Sequence, residues 1–598
     1  MPQASSPPPF PASPPRSRSV AVLRTYLGPL KWQVLTLAAL LLGGTGLNLV
    51  LPQLLRRFVD QAKLGGGADV GLLAQLAVLY IGLALLVQLM TAGATYVGAR
   101  VGWTATNRLR ADLMEHMLSL DMREHKERTP GEMIERIDGD VTALSNFFSQ
   151  FAVRVFGAAL LLTGAVVMFY LTDWRVGVGI TLFVAVTLYA MNRVRKGGVE
   201  PTRLERESSA QMFGYIEERL AGLDDVRSLG AGEHHLRGFL RVQRAFFNRA
   251  TFSWRRRSVV WQLSMALFAA GYVGILGAAV GLYAAGTITL GTAFLLYQYM
   301  NMVEEPIDQL TQQLQELQKA GASLGRIGDL LTLQTDLREG TRPLPGGPLD
   351  LRFEGVDFSY APQDPTVRSV LHGVSFHLPA GQTLGLLGRT GSGKTTLTRL
   401  VSRLYDVTGG RVTLGGVDIR EVRLESLRAR VAVVTQDVQL FQASVRDNLS
   451  FFDESVSDAQ VEAALEEVGL GLWLSRLEGG VRTPLLAGSL SAGQAQLLAF
   501  ARVLLRDPAV VILDEPSSRL DPATEAQLTQ AMTRLLTGRT AIVIAHRLDT
   551  VARADRILVL GDGQVLEDGP RAALARDARS HYAELLRAGE KYAEEVLA

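Results

Sequence analysis

The stretch Gly388-Arg389-Thr390-Gly391-Ser392-Gly393-Lys394-Thr395-Thr396 combines a glycine-rich turn, one lysine and a run of hydroxyls. It fits the phosphate-loop pattern G-x-x-x-x-G-K-[ST] at every fixed position. Glycines let backbone amides turn toward an anion, and a helix N-terminus behind them adds partial positive charge. Lys394 is placed to reach the outer phosphates of a nucleotide, and the Thr395 hydroxyl to ligate Mg²⁺. A glycine turn can be merely structural, but here the apolar run Thr383–Leu387 precedes it and Leu397–Val401 comes after it. That order reads as strand, loop, helix.

Other residues join this chemistry. Val510-Val511-Ile512-Leu513-Asp514-Glu515 is an apolar run ending in two carboxylates. Runs of this kind suit a parallel strand covered on both faces. Asp514 would hold Mg²⁺ through water, and Glu515, one residue further, would polarise the attacking water. Thr540–Ala545 is a second such run and ends at His546, a candidate contact to the γ-phosphate. Val431–Thr435 runs into Gln436 in the same way, a further Mg²⁺ or water ligand. Tyr360, at the end of the alternating stretch Leu351–Ser359, is either a strand-end aromatic or a platform for a purine ring.

These residues need an α/β domain to position them, and the remaining chain is too long for one core. At 598 residues two or more domains are expected. A net charge of +2 gives no reason to expect a nucleic-acid partner. Cysteine is absent, which excludes disulfides, zinc–thiolate sites and cysteine nucleophiles.

The first half is strongly apolar. Six segments qualify as bilayer spans: Val34–Leu55, Leu72–Val97, Ala152–Leu171, Val176–Met191, Gln262–Ala284 and Leu290–Met302, the last short but continuing without a helix breaker as far as Glu305-Pro306. Tight turns are expected at Trp174 and Gly286–Thr289, and a modest one at Lys63–Gly67. The connections after the second and fourth spans are long and basic, with Arg108, Arg110, Arg123, Arg203, Arg206 and Arg255-Arg256-Arg257. Positive charge collects on the cytoplasmic side, so these loops, the N-terminus and the C-terminal half are expected there, in a multi-pass protein of the cell membrane. Arg56-Arg57 run against that bias. Leu109, Leu113, Met117 and Leu120 keep a helical period, so the spans are expected to continue into the cytoplasm. Turns at Thr129-Pro130-Gly131 and Gly222 leave room for short crosswise helices at the tips. The chain thus divides into a disordered tail over 1–19, a membrane domain over 20–332, a Gly/Pro-rich linker over 333–350, a nucleotide domain over 351–590 and a tail over 591–598.

Taken together, these motifs resemble the ATP-binding cassette family, and the six-span half resembles its type IV exporters. The deciding stretch is Leu490-Ser491-Ala492-Gly493-Gln494. It resembles the family's L-S-G-G-Q signature, which closes over the γ-phosphate bound by the opposite subunit. The resemblance covers nearly the whole chain. Arg128–Glu132 with Asp138–Val141 looks like the first intracellular loop, and Glu217–Gly222 like the second, each implying a coupling helix that docks on a nucleotide domain. Ser517–Asp521 matches the D-loop only in its frame.

Three departures stand out. Ala492 replaces a signature glycine, Leu497 stands where the family usually has arginine, and Thr483–Gly488 lacks the glutamate that normally precedes the signature. Intact Walker residues beside a worn signature imply an asymmetric heterodimer with a second half-transporter. A homodimer that tolerates Ala492 is the alternative. The family implies ATP and Mg²⁺ as cofactors and ATP-driven alternating access as the mechanism. A membrane-anchored regulatory ATPase, an importer and a gated channel remain alternatives. Polar groups such as Gln88, Thr91, Gln262, Tyr297, Gln298 and Asn301 are scattered through the spans, with Glu304 and Glu305 near one end. A mostly apolar cavity among them would suit drugs, lipids or hydrophobic peptides.

Overall fold

The computed structural model describes residues 22, 24–64, 69–364, 366–486, 488–514, 522–545 and 548–588. Glu515, His546, the stretch Ser517–Asp521 and both expected tails lie outside the described residues. The chain forms two compact units. One contains Pro130–Leu333 and the chain up to Leu118; the other contains Ser119–Thr129 and the chain from Gln334 onward.

The first unit is helical. Its long helices are α1 (Lys31–Ala62), α2 (Val70–Ser119), α4 (Ala152–Thr172), α5 (Trp174–Ala221), α7 (Gly232–Ala284) and α8 (Leu290–Thr332). A short helix, α6 (Leu223–Ser228), stands at a turn of this unit, and another, α3 (Met122–Glu127), belongs to the second unit although it lies in sequence between α2 and α4. At 1.5 Å per residue, the 50 residues of α2 run about 75 Å, far beyond a hydrocarbon core of about 30 Å. The spans therefore do continue as helices past the membrane. Asp173 alone separates α4 from α5, and its carboxylate accepts from the Arg175 backbone N–H at 2.8 Å, capping the new helix.

Among the described residues, five helices are long and apolar enough to cross a membrane. The helix carrying the sixth expected span, α8, is as long but has a divided surface. Leu295, Leu296, Tyr299, Met300, Val303 and Ile307 on one face are fully buried, while Asn301 and Glu305 on the other are exposed. α8 packs along α4, and α5 along α7. The buried Tyr299 hydroxyl donates to the Leu49 carbonyl at 3.1 Å and accepts from Gln53 Nε2 at 2.9 Å, so its desolvation is offset. Beyond the expected spans, buried Asp140 accepts from Ser323 at 2.9 Å and from Arg326 Nε at 2.8 Å, fixing the extension of α8.

The second unit contains two sheets. Strands β1 (Leu351–Phe358), β2 (Leu371–Leu378), β4 (Gly409–Leu414) and β5 (Val417–Asp418) form an antiparallel sheet in the order β2-β1-β4-β5. Strands β3 (Thr383–Gly388), β6 (Val431–Val434), β7 (Val510–Asp514), β8 (Thr540–Ile544), β9 (Arg556–Gly561) and β10 (Gln564–Pro570) form the other, in the order β10-β9-β3-β8-β7-β6. All pairings in that sheet are parallel except β9 with β10. β3, β7 and β8 are unbroken apolar runs and nearly wholly buried, as strands covered on both faces must be.

Candidate nucleotide site

The parallel register brings the candidate residues to one edge. Asp514 pairs with Ile544, Leu513 with Val434, and Leu386 with Ile544. β3, β6, β7 and β8 therefore leave the sheet side by side at their carboxyl ends, where ligand sites of open α/β sheets form. Gly388 ends β3, Asp514 ends β7, and Gln436 lies two residues beyond β6. In the sequence Glu515 comes directly after β7, and His546 two residues after β8.

The phosphate loop links β3 to helix α9 (Lys394–Val401). Gly393 has φ 104°, and a side chain there would meet Leu371 Cδ2 at 2.6 Å. Gly388 has φ 149°, and a Cβ would run into the Leu560 carbonyl. Only glycine fits either place. Buried Lys394 donates to the carbonyls of Gly388 at 2.7 Å and Arg389 at 3.0 Å, tying its own loop together. Ser392 is buried, and its hydroxyl has no partner among the described residues. Arg389, Thr390, Gly391 and Thr395 are exposed around it, and the first turn of α9 has amides without helical acceptors. An orphaned hydroxyl, open amides, a lysine and a threonine at a helix start, with Asp514 across the sheet edge, fit a Mg²⁺-bound triphosphate.

Tyr360 lies beside the loop and is held from several sides. Its hydroxyl is 3.0 Å from Thr396 Oγ1 and accepts from Arg399 Nη1 at 3.0 Å. Phe358 and Tyr405 meet its ring edge-on, with centroids at 4.9 and 5.1 Å. Burial first, and then Tyr360, push the Tyr405 phenol up. The Lys126 ammonium, from α3, stands 4.3 Å from the centre of the Tyr360 ring. Thus α3, which lies in sequence among the spans, reaches the proposed purine platform. Its segment is anchored there: Asp121 accepts from the Asp336 backbone N–H at 3.0 Å, and Arg123 pairs with the Asp336 carboxylate at 2.8 Å.

Helix α10 (Ala492–Arg506) begins at the signature. Ser491 caps it: its Oγ accepts from Gln494 N–H at 3.2 Å, while Gln494 Oε1 accepts from Ser491 N–H at 3.0 Å. This capping box fixes the helix start with Ser491 and Ala492 exposed and Gly493 buried. The Ser491 hydroxyl proton is not used in that box and can still be donated outward. Leu497 is buried in the apolar core, so its departure from the family pattern is compatible with packing in this subunit.

The same helix secures the loop after β6. Gln496 Nε2 donates to the Gln436 carbonyl at 2.8 Å, and Arg502 Nη2 to the Gln439 carbonyl at 3.0 Å. Burial, then neighbouring Arg506, lower the Arg502 guanidinium to about 10, which leaves it charged at neutral pH. A cleft of about 280 Å³ opens here, lined by Gln439, Phe441, Phe451, Arg502 and Arg506 among others. Phe451 adopts φ 52°, a conformation unfavourable for an aromatic residue.

Residues 371–518 match the family described as ABC transporter, and residues 34–307 the ABC transporter transmembrane region. The chain belongs to the ABC transporters. An ATP-dependent lipid A-core flippase of Alcanivorax borkumensis is 30% identical, over 78% of this chain and 80% of its own. A multidrug efflux ATP-binding/permease protein of Mycobacterium bovis is 30% identical over 94% of this chain, which spans 47% of that longer protein. The structure of a bacterial Atm1-family ABC exporter with ATP bound superposes with TM-score 0.76 at 26% identity, covering 93% of this chain and 98% of that one.

As an ABC half-transporter, the chain is a multi-pass inner-membrane protein with a cytoplasmic nucleotide unit. It uses ATP with Mg²⁺ and works as a dimer in the bilayer. No motif singles out Lys126, Gln496 or Arg502. Gln496 lies two residues beyond the signature, a spacing that could have raised it; nothing in sequence pairs Lys126 with Tyr360.

Proposed function

We propose that this chain is one half of a dimeric exporter that uses ATP hydrolysis to move a hydrophobic or amphiphilic molecule across the membrane by alternating access. The observation that carries this reading is the seat of α3. A segment flanked by membrane helices is built into the nucleotide unit and touches Tyr360, so events at the purine platform act on the chain that leads into the spans. A regulatory ATPase merely anchored in the bilayer has no use for such a link. The cleft at Phe441 and Phe451 offers an exposed aromatic rim on which a coupling tip of the partner half would dock.

In this reading Lys394 and the α9 amides hold the phosphates, Thr395, Asp514 and Gln436 hold Mg²⁺, and Tyr360 supports the purine. Mg²⁺ supplies charge neutralisation on the outer phosphates. Glu515 orients water and accepts its proton, and His546 contacts the γ-phosphate. Ser491, through its free hydroxyl proton, and the start of α10 close over the nucleotide of the partner half.

Ala492 and the missing glutamate before the signature favour a heterodimer, in which this chain's Walker residues serve the hydrolytic site. Co-purification decides between the two assemblies: a heterodimer requires a second half-transporter for full activity, and full activity of the pure chain overturns it. Export itself is tested in inverted vesicles. ATP-dependent uptake in wild type, lost in Glu515→Gln while ATP binding persists, is expected; uptake retained in that variant overturns the assignment.

A further inference from the structure

The membrane unit contains a polar cluster that the nucleotide chemistry does not use. The Tyr272 hydroxyl of α7 lies 2.6 Å from Asn301 Oδ1 and 2.7 Å from Glu304 Oε2 of α8. One phenol carries one proton, so it satisfies only one of these acceptors at a time. The Asn301 amide turns its Nδ2 the other way, toward the Tyr297 carbonyl at 3.3 Å and Gln298 Oε1 at 3.4 Å. Among the described residues no Lys, Arg or His lies within ion-pair distance of Glu304. The cluster is rich in acceptors, short of donors and contains an uncompensated carboxylate.

Aromatic rings complete it. Tyr297 stands 5.7 Å from Tyr272 in a tilted pair, and Phe294 is 6.3 Å from Tyr297. Counting from Leu290, Glu304 lies about 21 Å along α8, at the inner end of the expected span Leu290–Met302. Asn301 and Tyr297 are exposed in the single chain, on the face opposite the buried row of α8. Lipid does not solvate a carboxylate and an amide, so in a dimer this face would suit a water-filled cavity between the halves. Helix–helix adhesion alone does not account for Glu304, because a glutamine would make the same bond to Tyr272 without a charge.

We infer that Tyr272, Tyr297, Asn301 and Glu304 form a recognition site for amphiphilic organic cations bearing N–H groups. The carboxylate supplies the counter-charge, Asn301 and Glu304 accept the N–H bonds that Tyr272 cannot fill, and the tyrosine faces attract the cation. An anion would meet Glu304 at close range, and a neutral lipid would leave the carboxylate uncompensated. The inference rests on the export reading and names the substrate class of its cavity.

The test uses the purified transporter, with any half-transporter that co-purifies, in nanodiscs. The probe is ethidium, an aromatic cation with N–H groups, and the competitor is fluorescein, an aromatic anion. Glu304→Gln should weaken ethidium binding roughly tenfold or more, and Tyr272→Phe about two- to fivefold. Glu304→Asp, which retains the charge, should stay within about threefold of wild type, and fluorescein should not compete. Unchanged binding in Glu304→Gln, equal losses in Glu304→Gln and Glu304→Asp, or competition by fluorescein would each overturn the site. ATP-driven ethidium uptake in inverted vesicles separates the two readings. Glu304-dependent binding without uptake sinks export and leaves the site; uptake with Glu304-independent binding sinks the site and leaves export.

Discussion

In the nucleotide unit the candidate phosphate and Mg²⁺ ligands hang from the carboxyl ends of parallel strands, whereas in the membrane unit the polar groups lie along one face of a helix. The strand ends are locked by register: Asp514 cannot move along β7 without moving every pair between β6, β7 and β8. The face of α8 has no such constraint. Asn301 and Glu304 are three residues apart on one helix and meet Tyr272 from another, so a single substitution changes one contact and leaves the backbone alone. A site on strand ends resists change, and a site on a helix face invites it.

The contrast can be broken at its strongest point first. Glu515→Gln is expected to lower kcat for ATP on the order of 100-fold or more while ATP still binds; near-normal turnover would show that the strand edge is more tolerant than its register implies. Gln496→Leu removes the side chain that holds the Gln436 carbonyl from α10. About a tenfold fall in kcat with little change in ATP affinity is expected, measured by steady-state ATPase and nucleotide binding. Lys126→Met keeps the length of the side chain but removes the cation over Tyr360. A two- to fivefold fall in substrate moved per ATP is expected from a contact of this kind, read by parallel transport and phosphate-release assays. The smallest effect belongs to Ala492→Gly. Ala492 is exposed at a helix start already fixed by the Ser491–Gln494 box, so less than about a twofold change in total ATPase is expected. A large gain would mean that Ala492 itself restrains the partner's site.

The same division explains which features are legible in the residues taken in order. The strand-edge site is legible because its parts are contiguous: Gly388–Thr396, and the apolar runs before Asp514 and Gln436, each announce a strand and the loop beyond its end. The spans are legible as apolar runs, Leu290–Met302 among them, but only contact with α4 shows why one face of α8 is buried and the other polar. The cluster at Tyr272 is not legible. Asn301 in a span and Glu304 just beyond its end draw notice as polar residues, but their partner is 32 positions from Glu304 on a separate helix. Lys126 is hidden for the same reason, being far along the chain from Tyr360 and unremarkable among the charges around it.

The segment Ser119–Thr129 has a consequence for how the molecule comes apart. A nucleotide unit cut free at Gln334 would leave part of its own surface behind, exposing the Asp336 amide that Asp121 covers and the Tyr360 ring beneath Lys126. Proteolytic nicking in the linker would therefore not release a clean domain.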